Sequence, residues 1–431
     1  MSAAFLITLA LFFGLSGIGL PVALSMLVGG IFYLFASGQD PSLAAEQMLN
    51  GLYNSFILLA VPLFILASNL MNAGTISDRL LRFCVAYVGR MRGGLGQVNV
   101  VTSLIFSGMS GSAIADAVGI GKVTTDMMIA ENRYPRGYAA ALTAASAVIG
   151  PIIPPSIPMV IYAVVSDASI GYLFLGGVGP GLLIAAVLMA VNHVEAYRRD
   201  FPRDEAVPLR KLPLITLEAL PALLMPVVLL YCIYGGATTP TEAAAIAALY
   251  ALVLATIFYR ALSPRRIVEV LVESARSTGV VGLIIAAALV FNYVVASENL
   301  PTLVSSYLIG LDMTPLTFLL MVNVIFLLLG CLFDATTLLL IVVPLFLPAA
   351  RELGVDLVHF GVVIVINSMI GLITPPYGVL LFIINAVNHV PLKEIIAEIW
   401  LFIAILVASL LVMTIFPEIV LWLPRQFGYE G

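Results

Sequence analysis

Charge is scarce in this chain. Of 431 residues only 10% are charged while 61% are hydrophobic, and the mean hydropathy is +1.12. Soluble domains carry roughly a quarter charged residues, so a water-soluble fold is excluded. Histidine and cysteine are almost missing, at three residues each. No HExxH, CxxC or EF-hand spacing occurs, which argues against a transition-metal site. Cys84, Cys232 and Cys331 read as small apolar packing residues. Period-two alternation is absent, which excludes a β-barrel. No basic residue precedes the first apolar run, which argues against a cleaved leader, and that run reads as the first span.

What is present is apolar run after apolar run, most near or above the roughly 18–20 residues that cross the hydrocarbon. The chain therefore reads as an all-α polytopic membrane protein embedded in a lipid bilayer, with about ten transmembrane helices and no nucleic-acid partner. Runs at about 3–18, 21–36 and 53–72 lead to an amphipathic piece from Ile76 to Met91, expected at the interface. The segment 94–130 is interrupted from Ser107 to Asp116, leaving limbs too short to cross, so it is expected as a re-entrant hairpin. Residues 137–165 then carry Gly-Pro-Ile-Ile-Pro-Pro-Ser at Gly150 to Ser156. Paired prolines remove amide donors and clash with the preceding turn, so the helix must break there. A span at 168–195 precedes the basic loop 197–213.

Beyond that loop the order restarts. Spans at 214–234 and 240–259 flank a Gly-rich turn, and an amphipathic stretch from Pro264 to Arg276 precedes a span at 277–296. A second hairpin is expected at 314–350, interrupted from Gly330 to Thr337. A second broken helix at 358–387 carries Gly-Leu-Ile-Thr-Pro-Pro-Tyr at Gly371 to Tyr377, and a last span follows at 395–423. The division is thus a first repeat at 1–196, a linker at 197–213 expected on the cytoplasmic side, and a second repeat at 214–424. If the linker is cytoplasmic, nearly all Lys and Arg fall on its side. That is the positive-inside pattern, and it places both termini outside. Five spans per half is an odd number, so the second copy is inverted relative to the first.

Broken backbone at membrane depth is tolerated where it is buried in protein or lines a cavity. Its unused carbonyls and hydroxyls can replace the water around a small hard cation, and a half-helix beginning at a break offers free N–H groups to an anion. In the first half the candidates are Ser107, Ser110, Gly111, Ser112 and Asp116, facing Gly150, Pro151, Pro154, Pro155 and Ser156. In the second they are Asp334, Thr336 and Thr337, facing Gly371, Thr374, Pro375 and Pro376. Single serines can instead be close-packing residues. A carboxylate at mid-membrane is a functional candidate by default, and Asp334, with no basic neighbour in sequence, requires a cation, a proton or an amide. Asn54, Asn69, Asn292 and Asn323 read as interhelical glue, Glu242 as a helix N-terminal charge, and His193, His359 and His389 as residues at span ends. Gly108 to Gly111 spells GxSG, as in rhomboid proteases, but no histidine is placed to serve as base. No enzyme activity is expected.

Four motifs in order, Phe106 to Asp116, Gly150 to Ser156, Leu332 to Thr336 and Gly371 to Gly378, resemble the large membrane subunit of the tripartite ATP-independent periplasmic (TRAP) transporters, the DctM-like family. The likeness runs over essentially the whole chain. It implies a sodium-driven importer of a carboxylate, such as a C4-dicarboxylate or sialic acid, in a bacterial inner membrane. It implies two partners, a small four-span membrane subunit expected as a separate polypeptide and a periplasmic substrate-binding protein, and an elevator motion of hairpins and broken helices. Sodium is the coupling ion, with no other cofactor, and the resemblance carries its sites onto Ser110, Ser112, Asp334, Thr336 and Thr374. Neither break has a Lys or Arg, so the substrate carboxylate is expected on helix N-termini and hydroxyls. The competing reading is a stand-alone divalent-anion/sodium symporter that uses the same inverted architecture without a binding protein.

Overall fold

The computed structural model describes residues 2–73, 76–203, 207–235 and 238–431. The middle of the expected linker and of the Gly-rich turn before Pro240 lie outside the described residues, as does the side chain of Asn54. The first half comprises α1 (Ala3–Gly17), α2 (Val22–Ala36), α3 (Ser42–Asn54), α4 (Ala60–Ala73), α5 (Ile76–Val88), α6 (Gly94–Ser110), α7 (Ala113–Asp116), α8 (Lys122–Ile129), α9 (Arg136–Ala147), α10 (Ile157–Ser166) and α11 (Ile170–Arg198). The second half comprises α12 (Leu212–Tyr234), α13 (Pro240–Val253), α14 (Pro264–Ser297), α15 (Leu300–Ile309), α16 (Pro315–Gly330), α17 (Ala335–Ile341), α18 (Val343–Glu352), α19 (Leu357–Gly371), α20 (Val379–Asn388), α21 (Leu392–Ile415) and α22 (Glu418–Gln426). Every described element is helical.

Local chemistry sets many of the boundaries. Thr239-Pro240, Ser263-Pro264 and Thr314-Pro315 begin α13, α14 and α16 with a capping hydroxyl followed by proline. The hydroxyl satisfies a free first-turn amide, and proline has no amide to leave free. Glu242 and Thr317 complete the first and third of these as reciprocal capping boxes, the role expected of Glu242.

Among the described residues six helices are long and apolar enough to cross a bilayer, seven if the pair α17 and α18, bent by 53°, counts as one. The remaining expected crossings are the broken pairs α9/α10 and α19/α20, together with α1 and α2. At 15 residues each, α1 and α2 reach only about 23 Å, short of a hydrocarbon core of about 30 Å.

Three elements differ from the sequence reading. The amphipathic stretch at 264–276 and the span after it form one continuous helix of 34 residues, whereas the matching pair α3 and α4 is interrupted at Ser55 by a short 3₁₀ turn. The last span is divided, because Phe416-Pro417 ends α21 before α22 begins. Between α14 and the second hairpin lies α15, which occupies the place that α5 holds in the first half.

Packing between the halves is reciprocal. Helix α2 packs on α14 while α13 packs on α4; α9 lies on α21 while α19 lies on α11. Helix α10 meets α17 of the opposite hairpin, and α20 meets α7 and α8. Such exchange is what a two-fold relation between repeats produces. Two bodies result: a scaffold of α1–α4 and α12–α14, and a block of hairpins and broken helices with α11, α21 and α22. Helices α5 and α15 bridge them, resting on α6 and α18 respectively.

Candidate functional site

Each hairpin tip lies against the break of its own half. Gly111 bends the first tip with φ +59°, and a Cβ there would stand 2.3 Å from the Pro155 carbonyl oxygen. A Cβ on Gly150 would lie 3.2 Å from the Ser112 carbonyl oxygen, and one on Gly108 3.8 Å from that of Pro154. Carbonyls of Ser112, Pro154 and Pro155 therefore lie along the contact between tip and break. In the second half Gly330 and Gly371 make the corresponding contact. Both Pro-Pro bonds, Pro154-Pro155 and Pro375-Pro376, are cis.

The hydroxyls divide by what they already bind. Ser107 donates to the Leu104 carbonyl at 2.6 Å and Thr374 to the Ile370 carbonyl at 2.7 Å, so both spend their proton inside their own helix. Ser112 is the N-cap of α7, accepting from the Ala115 amide at 3.3 Å. Ser156 caps α10, accepting from the Met159 amide at 3.2 Å and donating to the Pro151 carbonyl. Helix α10 thus closes its own first turn, while α20 begins at Gly378, φ +49°, with no side-chain cap. Pro375 is half-buried and Pro376 exposed at that uncapped end, whereas Pro154 and Pro155 are buried.

Asp334 caps α17, accepting from the Thr337 amide at 3.2 Å and from the Thr337 hydroxyl at 2.5 Å. The amide and hydroxyl of Thr337 thus both donate to this carboxylate. Thr336 is half-buried beside it and Thr337 buried. Asp116 is fully buried, and neither carboxylate oxygen has a hydrogen-bond partner.

Next to the first tip is a cavity of about 750 Å³. Ser110, Ser112, Ile114 and Ile157 line it from the block, while Ser68, Asn69, Asn72, Ser77, Asp78 and Ser277 line it from α4, α5 and α14. Asp116 is not among its walls, since it faces the opposite side of α7. The second hairpin meets the scaffold directly: Phe333 stacks on Phe12 of α1 at 5.9 Å, and Asn292 of α14 donates to the Leu340 carbonyl at 2.9 Å. Hairpin one packs on α4 and α12 through α6, with Gly108 against Pro226, and borders the cavity with its other limb, α7, whereas the matching limb of hairpin two, α17, is seated on α14.

Sequence reasoning did not single out Ser68, Asn72, Ser77, Asp78 or Ser277. The available signal was spacing, since Ser68 and Asn72 are one helical turn apart inside an otherwise apolar span and so share a face. Asn69, read as glue, donates to Ser274 at 2.9 Å and lines the cavity as well. Asn323 does act as glue, with Thr414 as acceptor at 2.8 Å. His359 is buried within the block and pairs with the Met413 carbonyl at 2.9 Å.

The model of the tripartite ATP-independent periplasmic transporter DctM component matches residues 9–419. The chain is 40% identical over 418 residues to the sialic acid TRAP transporter large permease protein SiaM of Vibrio cholerae, covering 96% of this chain and 97% of that protein. It is 38% identical over 373 residues to the C4-dicarboxylate TRAP transporter large permease protein DctM of Pseudomonas aeruginosa, covering 86% and 87% respectively. Among solved structures, the YdaH transporter of Alcanivorax borkumensis aligns with a TM-score of 0.63 over 88% of both chains at 14% identity, a likeness of fold alone. These relatives are permeases and not enzymes. The GxSG motif forms a tight bend at the hairpin tip, where α6 ends at Ser110 and Gly111 takes φ +59°. The chain belongs to the DctM family, the large membrane component of the tripartite ATP-independent periplasmic transporters.

Proposed function

We propose that this protein is the large membrane subunit of a sodium-coupled importer of a small carboxylate, working in a bacterial inner membrane. A small four-span subunit stands beside it, and a periplasmic binding protein delivers the substrate. The observation that carries the reading is the asymmetry of the two tips, one bordering a cavity of about 750 Å³ and the other packed on α1 and α14. With charge placement setting the first hairpin on the cytoplasmic side, the cavity opens inward.

Sodium occupies the places where each tip meets its break, held mostly by main-chain carbonyls such as those of Ser112, Pro154 and Pro155, with Ser110, Asp334, Thr336 and Thr374 nearby. The acid lies in the cavity against Ser110, Ser112 and the asparagines of α4. The uncapped N-terminus of α20 supplies favourable potential. Sialic acid and C4-dicarboxylates, named for the two relatives, are both carboxylates, which supports the class without selecting a member. Ion and acid move together as the block slides past the scaffold with α5 and α15 as arms. Each net charge carried inward gains about 2.3 kcal/mol per 100 mV.

The test is reconstitution of the complex in proteoliposomes with its binding protein and a panel of labelled carboxylates. Uptake is expected only with an inward sodium gradient and with the binding protein present. Equal uptake in potassium would refute the coupling, and uptake without the binding protein would favour a stand-alone symporter.

A further inference from the structure

Hairpin one holds a charge that the proposed tip site does not use. Asp116 closes α7, is 0% exposed, and has both carboxylate oxygens without a hydrogen-bond partner. Among the described residues no Lys, Arg or His pairs with it. The Ser103 hydroxyl stands beside it and instead donates to Ser146 at 3.2 Å. Around these two lies a buried polar seam between α6, α8 and α9. Asn99 donates to Thr124 and to Thr143, each at 2.7 Å, and accepts from Ser146 at 2.6 Å. A π turn, Ala117–Gly121, follows Asp116 directly. Such turns interrupt the regular i→i+4 ladder and recur at functional sites.

The other half shows that the fold does not require an acid here. Ser112 and Asp334 are the matching N-caps of the second limbs, and counting on from each places Leu338 opposite Asp116. Leu338 is 1% exposed, so a leucine fills the same packing position. An unpaired carboxylate away from water is costly, and only one repeat carries it.

We infer that Asp116 and Ser103 form an additional sodium site inside the first half, separate from the tip-and-break contacts and on the far side of α7 from the cavity. The inference rests on the sodium-coupled reading above and adds one ion to it, asymmetrically. Asp116 supplies the charge, Ser103 turns a lone pair inward, and main-chain carbonyls at the π turn complete the oxygen shell that a hard cation takes. The ion lies within the moving block, beside the polar seam, so it travels with hairpin one.

The test is equilibrium ²²Na⁺ binding to the purified complex of large and small subunits, without substrate, for wild type, Asp116→Leu, Asp116→Asn and Asp116→Glu. Leucine is chosen because the opposite repeat already accommodates it, and thermal unfolding in potassium reports whether each variant is folded. The expected result is that Leu and Asn each bind one sodium fewer per chain than wild type while Glu retains the full number. An equal number in folded Asp116→Leu and wild type would overturn the inference and leave the coupling reading intact. A wild type that binds no sodium would overturn both.

Discussion

Gly371 and Gly330 meet backbone to backbone. A Cβ built on Gly371 would stand 2.6 Å from the Gly330 Cα, and one on Gly330 would stand 3.1 Å from the Gly371 Cα. The second tip and break approach as closely as they do because neither residue has a side chain. Gly371→Ala forces main chain from main chain, a strain of about 1–3 kcal/mol. The expected outcome is a lowered unfolding temperature in detergent and lost uptake. Gly111→Ala adds an unfavourable φ to a clash with Pro155 and should be at least as damaging.

The second hairpin is fastened to its broken helix by an amide pair. Asn367 donates to the Asn323 side-chain oxygen at 3.0 Å and to its carbonyl at 2.8 Å. Replacing Asn367 with leucine leaves the Asn323 side-chain oxygen buried without its donor, and replacing Asn323 takes one of two acceptors from Asn367, while the Thr414 bond or the main-chain acceptor remains; a lost buried partner costs about 1–3 kcal/mol. The double variant Asn323→Leu/Asn367→Leu should lose less than the sum of the single losses, as residues in contact do. Thermal denaturation of the four proteins measures this directly.

Ser112 both caps α7 and lines the cavity. Ser112→Ala removes the cap, worth about 1 kcal/mol, and a substrate-facing hydroxyl. Half-saturation for the transported acid should rise several-fold. Ser112→Thr keeps both functions, so uptake kinetics should stay close to wild type. Equal damage by both substitutions would separate Ser112 from substrate.

Glu298, outside the spans at the end of α14, ties the N-terminal segment to the scaffold. Its carboxylate accepts from the Ser2 hydroxyl, from the Ser2 amide at 2.8 Å and from the Tyr33 hydroxyl at 2.9 Å. The Ser2 bonds, the hydroxyl first, hold its pKa below the ordinary carboxylate value. A depressed folded pKa means the tether is fully present above the ordinary value of about 4.3 and is lost as pH falls through the lower folded value. Amide exchange at the start of α1, corrected for intrinsic rate, should be unchanged from pH 7 to 5 and accelerate only below about pH 4. In Glu298→Gln it should be fast at every pH.

Much of this architecture was legible because the membrane leaves few choices. Long apolar runs must be helices, and Pro-Pro at mid-run must break one, so the breaks are readable at Gly150 to Ser156 and Gly371 to Tyr377, and the tips at the polar interruptions Ser107 to Asp116 and Gly330 to Thr337. Helix α15 escaped because it has ten residues, of which only Ser305 and Leu308 are buried, and such a segment shows no readable periodicity. The continuity of α14 escaped as well, since the change from amphipathic to apolar near Arg276 reads as a boundary when tertiary support is unseen. The cavity was hidden for a different reason. Asn72, Ser112 and Ser277 are far apart in sequence, and the packing of α4 and α14 beside hairpin one brings them together.

Movement of the block past the scaffold requires the second tip to leave α1. Phe13 and Phe333 face each other across that contact with ring centres 6.1 Å apart. With Cys84, Cys232 and Cys331 replaced, Phe13→Cys/Phe333→Cys can be bridged by a short thiol-reactive cross-linker in proteoliposomes containing the whole complex. The predicted result is that bridging abolishes sodium-driven uptake while either single cysteine, treated identically, transports. Undiminished uptake by the bridged protein would contradict that movement.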